Sequence, residues 1–305
     1  MIRLGSRGSA LALAQARSVG ERLGDQAELV TITTSGDRAS ARGPHEPPAG
    51  GGDKARFVKE IDEALLAAEI DLAVHSAKDV PAELPDGLAI VGVPPRADPR
   101  DALCGAGSLK DLSAGAVVGT ASVRRRAQLL ALRPDLEIRE LRGNVDTRLR
   151  RLAEGSFDAI VLAQAGLVRL GRADEGSPLP ELVPAPGQGC LAIEARSGDV
   201  GAAEAAAALT AAGALTELTA ERALVTALEA SCHTPIGAHA VSGEGAITLS
   251  AFVGLPDGSH WIRDELDGDG ADPAALGQTV AERLLAAGAR ELPHEAESMA
   301  VQGSA

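Results

Sequence analysis

Between Arg124 and Arg172 the chain carries eleven arginines and no lysine, although the whole protein has a formal net charge of −14. Six acidic residues share that stretch, so it is locally basic within an acidic molecule. A guanidinium is a planar fork of donors that grips a carboxylate or phosphate at two points, which an ammonium does not. A polyanion site is one account of the pattern. A codon bias toward arginine is the other, since lysine occurs only at Lys54, Lys59, Lys78 and Lys110. The position of each cation has to separate the two.

Four segments join a candidate strand to a candidate helix, where backbone N–H groups already favour anions. In Gly5-Ser6-Arg7-Gly8-Ser9, Ser9 suits a helix N-cap, while Arg7 between glycines suits an anion contact. In Val74-His75-Ser76-Ala77-Lys78-Asp79-Val80-Pro81, an apolar run ends in His, Ser, Lys and Asp. Lys78 and Asp79 read as an exposed ion pair of little consequence, or as chemistry at a strand end. A carboxylate there can stabilise a developing cation or exchange a proton with a leaving group.

In Gly119-Thr120-Ala121-Ser122-Val123-Arg124-Arg125-Arg126, Ser122 suits an N-cap before a first turn of three arginines. Cations there oppose the helix macrodipole unless an anion compensates. Consecutive helical residues point about 100° apart, so the three cannot share one site, and Arg126 is expected in solvent. Leu141-Arg142-Gly143-Asn144-Val145-Asp146-Thr147-Arg148 repeats the arrangement with Asn144 as cap, and Arg169 follows the next strand. Arg150, Arg151 and Arg172 read as exposed charges without a role.

Cys232 lies in Ser231-Cys232-His233-Thr234-Pro235, a turn setting in which a thiol is open to modification. His233 beside it invites a Cys–His nucleophile, but sequence neighbours need not share geometry, and no oxyanion-hole motif accompanies them. Cys104 and Cys190 read as small buried hydrophobes. Three distant cysteines without a C-x-x-C pair offer neither a disulfide framework nor a zinc site, and no metal is expected.

The elements that must position these groups follow from length and periodicity. A chain of 305 residues implies two or three domains. With 45% hydrophobic and 24% charged residues it reads as a soluble globular protein. Four aromatic residues leave no base-stacking platform, and a pI near 4.9 argues against nucleic acid or an anionic membrane as partner. The apolar run from Ala10 to Ala14 is too short for a secretory signal, and no stretch approaches membrane-spanning length. A reducing cytoplasm is the expected location.

Strand candidates at 2–4, 29–34, 70–74, 117–118, 136–141 and 157–162 alternate with helical patterns at 9–23, 57–68, 122–132 and 144–152. Such alternation predicts doubly wound α/β domains with parallel sheets and ligands at strand C-termini. Two proline-rich strips, VPPRADP at 93–99 and PLPELVPAPGQG at 178–189, mark crossovers around an inserted domain, with a paired-strand hinge. The Pro/Gly-rich stretch 42–52 reads as a loop. An alanine-rich helical region over 202–230 precedes strands at 238–241, 246–253 and 260–264 and a last helix over 273–287, a small α+β unit.

Taken in order, the motifs resemble the porphobilinogen deaminase (hydroxymethylbilane synthase) family. The residues are Arg7-Gly8-Ser9, Phe57-Val58-Lys59-Glu60, VHSAKDVP at 74–81, DPRDA at 98–102 and GTASVRRRAQL at 119–129. LRGNVDTRL at 141–149, LAQAGLVRLG at 162–171, PGQG at 186–189 and LEASCHTPIG at 228–237 complete the set, which spans nearly the whole chain.

The resemblance implies two periplasmic-binding-protein-like α/β domains with a hinge, 1–94 plus 190–210 and 98–186, and a small α+β domain over 214–305. It implies a transferase that joins four porphobilinogen molecules head to tail, releasing ammonia, into hydroxymethylbilane. A dipyrromethane primer would be held by a thioether to Cys232, with Lys78, Asp79, Thr120, Ser122, Arg124, Arg125 and Arg142 around it. Arg7, Ser9, Lys54, Arg142, Arg148 and Arg169 would hold the substrate, whose pyrrole carries an acetate and a propionate. Asp79 would be catalytic, as proton donor or as stabiliser of a cationic azafulvene. A cytoplasmic monomer is expected, with neither nucleic acid nor membrane as partner.

Two departures stand out: Ala121 where the family often has serine, and Gly51-Gly52-Asp53-Lys54-Ala55 in place of Gly-Gly-Lys-Gly. The alternative reading is a non-catalytic two-lobed anion-binding protein, which would leave Cys232 and the third domain without a task.

Overall fold

The computed structural model describes residues 1–35, 55–229 and 234–292. Residues 1–97 supply β1 (Ile2–Arg7), α1 (Ala10–Leu23), β2 (Ala27–Ile32), α2 (Ala55–Leu66), β3 (Leu72–Ser76) and β4 (Leu88–Gly92). Residues 98–188 supply β5 (Asp101–Cys104), β6 (Val117–Gly119), α3 (Val123–Leu132), β7 (Glu137–Arg139) and α4 (Val145–Ala153). They continue with β8 (Ala159–Ala163), α5 (Gln164–Arg169) and β9 (Ser177–Leu179). Then come β10 (Leu191–Arg196), α6 (Val200–Ala207), α7 (Ala212–Ala227), β11 (Ile236–Gly243), β12 (Ala246–Gly254), β13 (Trp261–Asp269) and α8 (Pro273–Leu284).

The chain forms two compact units, residues 1–97 with 189–215, and residues 98–188 with 216–305. The first holds a five-stranded sheet in the order β2-β1-β3-β10-β4. Strand alternation divides its side chains between two layers. Leu72, Val74 and Ile193 pack with Ala16 and Val19 of α1 and Ala202 and Ala206 of α6. Ala73 packs on the opposite face with Ile61, Ala64 and Leu65 of α2.

The second unit holds a five-stranded sheet in the order β7-β6-β8-β5-β9 and a three-stranded antiparallel meander, β11-β12-β13. Helices α7 and α8 cover one face of the meander through Ala220, Leu224, Leu276 and Val280, against Ala238, Ala240 and Leu249. Buried Glu221 of α7 accepts hydrogen bonds from the backbone N–H of Gly187 at 2.6 Å and of Ala240 at 2.8 Å. One carboxylate thereby ties the proline-rich strip before Gly189 to the first strand of the meander.

Both α/β sheets are mixed rather than parallel. Strand β10 runs antiparallel to β3 and β4, and β5 runs antiparallel to β8 and β9. These are the strands entered from the two crossovers, so each arrives against the direction set by the strand–helix–strand repeats. Strands β4, β5, β9 and β10 lack a periodic sequence signal; β9 contains Pro178 and sits at a sheet edge, where a missing N–H costs nothing. The alanine-rich region is two helices. Between them Thr210 Oγ1 accepts from Val93 N at 3.1 Å and Ala211 N donates to Val93 O at 2.9 Å, which breaks the helical ladder.

Candidate functional site

In the first unit, β1 and β3 are parallel neighbours, so both deliver their C-terminal residues to the same sheet edge. From β1 emerge Arg7, half-buried, and Ser9, whose hydroxyl caps α1 by accepting from Ala12 N at 3.3 Å. From β3 the chain enters one turn of 3-10 helix, Ala77–Asp79, pinned by Ala77 N donating to Cys190 O at 3.1 Å and Val80 N to Ala77 O at 3.2 Å. Lys78 and Asp79 are half-buried on that turn. The edge thus carries one carboxylate, Asp79, and two cations, Arg7 and Lys78, each partly withdrawn from water.

In the second unit, β7, β6 and β8 are parallel and also end together. Thr120 follows β6, is buried, and accepts from Ser122 N at 3.2 Å. Ser122 caps α3 by accepting from Arg125 N at 3.4 Å, and Asn144 caps α4 by accepting from Thr147 N at 2.8 Å. Arg142 is exposed and donates to Glu140 at 2.6 Å. Arg148 is half-buried and donates to Gly143 O at 2.8 Å, and half-buried Arg169 ends α5.

The arginines in the first turn of α3 divide by direction. Arg126 is exposed. Arg124 and Arg125 are each 5% exposed and converge on Asp101, which is 0% exposed. Arg124 donates to the two Asp101 oxygens at 2.8 and 3.2 Å and to Val183 O at 2.7 Å. Arg125 donates to one Asp101 oxygen at 3.0 and 2.8 Å and to Val161 O at 2.8 Å. Gln188 adds a donor to Asp101 at 2.9 Å. The anion required opposite the helix dipole is therefore supplied, in part, from within the chain.

Two guanidiniums against one carboxylate leave one positive charge in the interior. Burial alone would raise the Asp101 carboxyl, but Arg124 and Arg125 outweigh it and hold the group well below the usual carboxylate range. Burial lowers the Arg125 guanidinium, against the pull of Asp101. The buried Nε of Arg124 has no hydrogen-bond partner. A positive surplus and an unused donor suit an acidic organic ligand.

Asp101 was legible only as part of DPRDA, without a role. Its signal was the dipole conflict at Arg124 and Arg125, which demands a counter-charge somewhere in the sequence. Cys104 and Cys190 are buried, and burial pushes the Cys104 thiol up to about 11, which leaves it unreactive. Lys54 and Cys232 lie outside the described residues. Among the described residues, no helix is long and apolar enough to cross a membrane.

Residues 2–204 match the family model for the porphobilinogen deaminase dipyromethane cofactor binding domain, and residues 215–286 match that for the porphobilinogen deaminase C-terminal domain. The chain is 50% identical over 300 residues to porphobilinogen deaminase of Thermus thermophilus, across 95% of this chain and 97% of the relative. It is 47% identical over 302 residues to that of Deinococcus radiodurans, with 95% and 97% covered. Among solved structures, a periplasmic substrate-binding protein of an ABC transporter from Coxiella burnetii aligns with a TM-score of 0.42 at 15% identity, over 71% of this chain and 94% of that one.

Proposed function

The chain belongs to the porphobilinogen deaminase family, and from that premise we propose that it condenses four porphobilinogen molecules, releasing one ammonia at each addition, and that one water then cleaves the tetrapyrrole from the primer as hydroxymethylbilane. The observation that carries this reading is the match of residues 2–204 to the dipyrromethane cofactor-binding domain.

The residues present fit that cofactor, whose rings bear acetate and propionate groups. The Asp101–Arg124–Arg125 cluster keeps one uncompensated positive charge, and Arg124 Nε is a buried donor without a partner. Lys78, Thr120, Ser122 and Arg142 would complete its binding set, with Cys232 as the covalent anchor. When bound, the cofactor supplies the free pyrrole α-carbon from which the chain is extended.

The protein's own groups would act as follows. Arg7, Lys54, Arg142, Arg148 and Arg169 hold the substrate carboxylates by charge-assisted hydrogen bonds, and the Ser9 hydroxyl donates a further one. Asp79 faces the substrate pyrrole N–H. As the aminomethyl C–N bond breaks and ammonia leaves, positive charge spreads over the substrate ring, and the Asp79 carboxylate stabilises it. Proton delivery to the leaving amine is a second task for the same group. We place the enzyme in the cytoplasm as a monomer, with porphobilinogen and neither nucleic acid nor membrane as its partner.

Intact mass of the denatured protein tests the reading. A mass excess of two porphobilinogen units less two ammonia, mapped by digestion to Cys232, is expected. An unmodified mass that persists after incubation with porphobilinogen would favour the anion-binding alternative.

A further inference from the structure

On one face of the first unit's sheet, at the strand that leads into the Asp79 turn, three ionisable side chains meet. His75 on β3 and Glu194 on β10 occupy the same sheet face, since Ala192 pairs with His75 and Ala73 with Glu194, making them diagonal neighbours. Asp62 reaches them from α2, which packs on that face. Their ligating atoms all lie within 4.8 Å of one another, and the three residues are 8%, 5% and 1% exposed for Asp62, His75 and Glu194.

The cluster is poorly served by ordinary partners. His75 Nε2 lies 3.2 Å from Glu194 Oε2, but Nε2, Asp62 Oδ1 and Glu194 Oε1 are buried without a well-formed hydrogen bond. With both carboxyls ionised and the imidazole neutral the trio would carry −2 in the interior, a costly state. Two added protons bring it to zero. The neighbouring charges do not remove the surplus. Glu63 on α2 adds to it. Arg196, on the Glu194 face of β10, is taken up by Asp71, Asp199 and the carbonyls of Leu65 and Ile70. Glu60 on α2 accepts from Ser35 N.

We propose that Asp62, His75 and Glu194 form a proton-sharing cluster that acts on the condensation reaction through β3 and the Lys78–Asp79 turn, a role that rests on the family's chemistry. His75 stands four residues before Asp79, on the strand that ends at the turn. When the cluster holds both protons it is neutral. When Asp62 gives one up, a negative charge appears under the end of β3, and a reaction that develops positive charge above that end is favoured. The three residues are positioning residues: none is placed against the substrate. Burial, then the charge of Glu194, raises the Asp62 carboxyl to about 7, against the opposing effect of His75, so the exchange falls in the physiological range.

Two measurements on the full-length holoenzyme test the idea. The first is the pH titration of the Asp62 carboxyl by carbon-13 NMR, the resonance being assigned by its loss in Asp62→Asn. A midpoint near 7 that falls in Glu194→Gln is expected, and a midpoint below about 5 overturns the cluster. The second is the kcat profile between pH 6 and 8. The wild-type rate should rise about 3–10-fold across that window, while Asp62→Asn changes less than about 2-fold with KM unaltered. An unchanged rise in Asp62→Asn overturns the link to catalysis. Stoichiometric divalent metal in the purified protein, abolished by His75→Ala, would show that a cation rather than protons neutralises the trio. The titration is read on the protein alone, so absence of any porphobilinogen turnover would refute the proposed function without touching the cluster.

Discussion

Arg125 places two hydrogen bonds on a single oxygen of Asp101, from Nε at 3.0 Å and from a terminal nitrogen at 2.8 Å. Arg124 occupies both oxygens from the other side, so one carboxylate organises the start of α3. Removing that charge leaves two buried guanidiniums facing each other. Asp101→Asn should therefore cost about 3–5 kcal/mol, read from urea unfolding midpoints. A loss under about 1 kcal/mol would mean that water reaches the pair.

Asp101 and Asp62 respond to pH with opposite signs. The folded Asp101 carboxyl lies below its unfolded value. Its contribution is present above about pH 4 and is lost as pH falls toward the folded value. The folded Asp62 carboxyl lies above its unfolded value, at about 7. The stability attached to its protonated form is full below about pH 4 and is gone once pH passes 7. Thermal melts of Asp62→Asn should gain on the wild type between about pH 4 and pH 7 and hold a level lead above that. A constant offset would show that ionisation is not the cause.

Asp79 sits on a turn fixed at both ends by backbone hydrogen bonds, so a change of its side chain should leave the local backbone in place. For Asp79→Asn we expect kcat to fall about 10²–10⁴-fold with KM within about threefold. Steady-state consumption of porphobilinogen distinguishes this from a binding defect. Near-normal kcat removes Asp79 from the mechanism.

Arg142 is exposed and its ion pair with Glu140 is exposed too, so neither contributes much to folding. Arg142→Ala should leave the melting temperature within about 1 °C, a change of under 0.5 kcal/mol. If Arg142 grips a substrate carboxylate, KM should rise about tenfold. An unchanged KM would assign Arg142 to the surface alone.

The caps, the alternation of strand with helix and the division between α/β and α+β units were legible because each rests on neighbours in sequence, although the strand ends fall elsewhere, β1 running to Arg7 and β3 to Ser76. Ser9, Ser122 and Asn144 all cap the helices that their positions announced. What was not legible depends on distant partners. Nothing near Glu194 or Asp62 marks either as a neighbour of His75, since sheet order and helix packing bring them together. Strand direction was misread for the same reason: β5 and β10 enter from crossovers, and their polarity is fixed by where the chain returns. Arg124 and Arg125 were legible as charges that need an anion, but their counter-ion in DPRDA was not, because a strand buried on all four residues gives no alternation to read.

Strand β10 lies between β3 and β4 in the first sheet, yet it is made only after the whole of residues 98–188. A ribosome therefore releases β3 and β4 without the strand that joins them. All five strands of the second sheet fall between Asp101 and Leu179, so that sheet has its full set before the first one does. At about 5–20 residues per second, the gap between Gly92 and Leu191 lasts on the order of 5–20 s. Through that interval the nascent chain carries apolar strand edges that ask for a partner. The order of birth thus reverses the order in sequence: the domain begun second closes first, and the domain begun first waits for its missing middle.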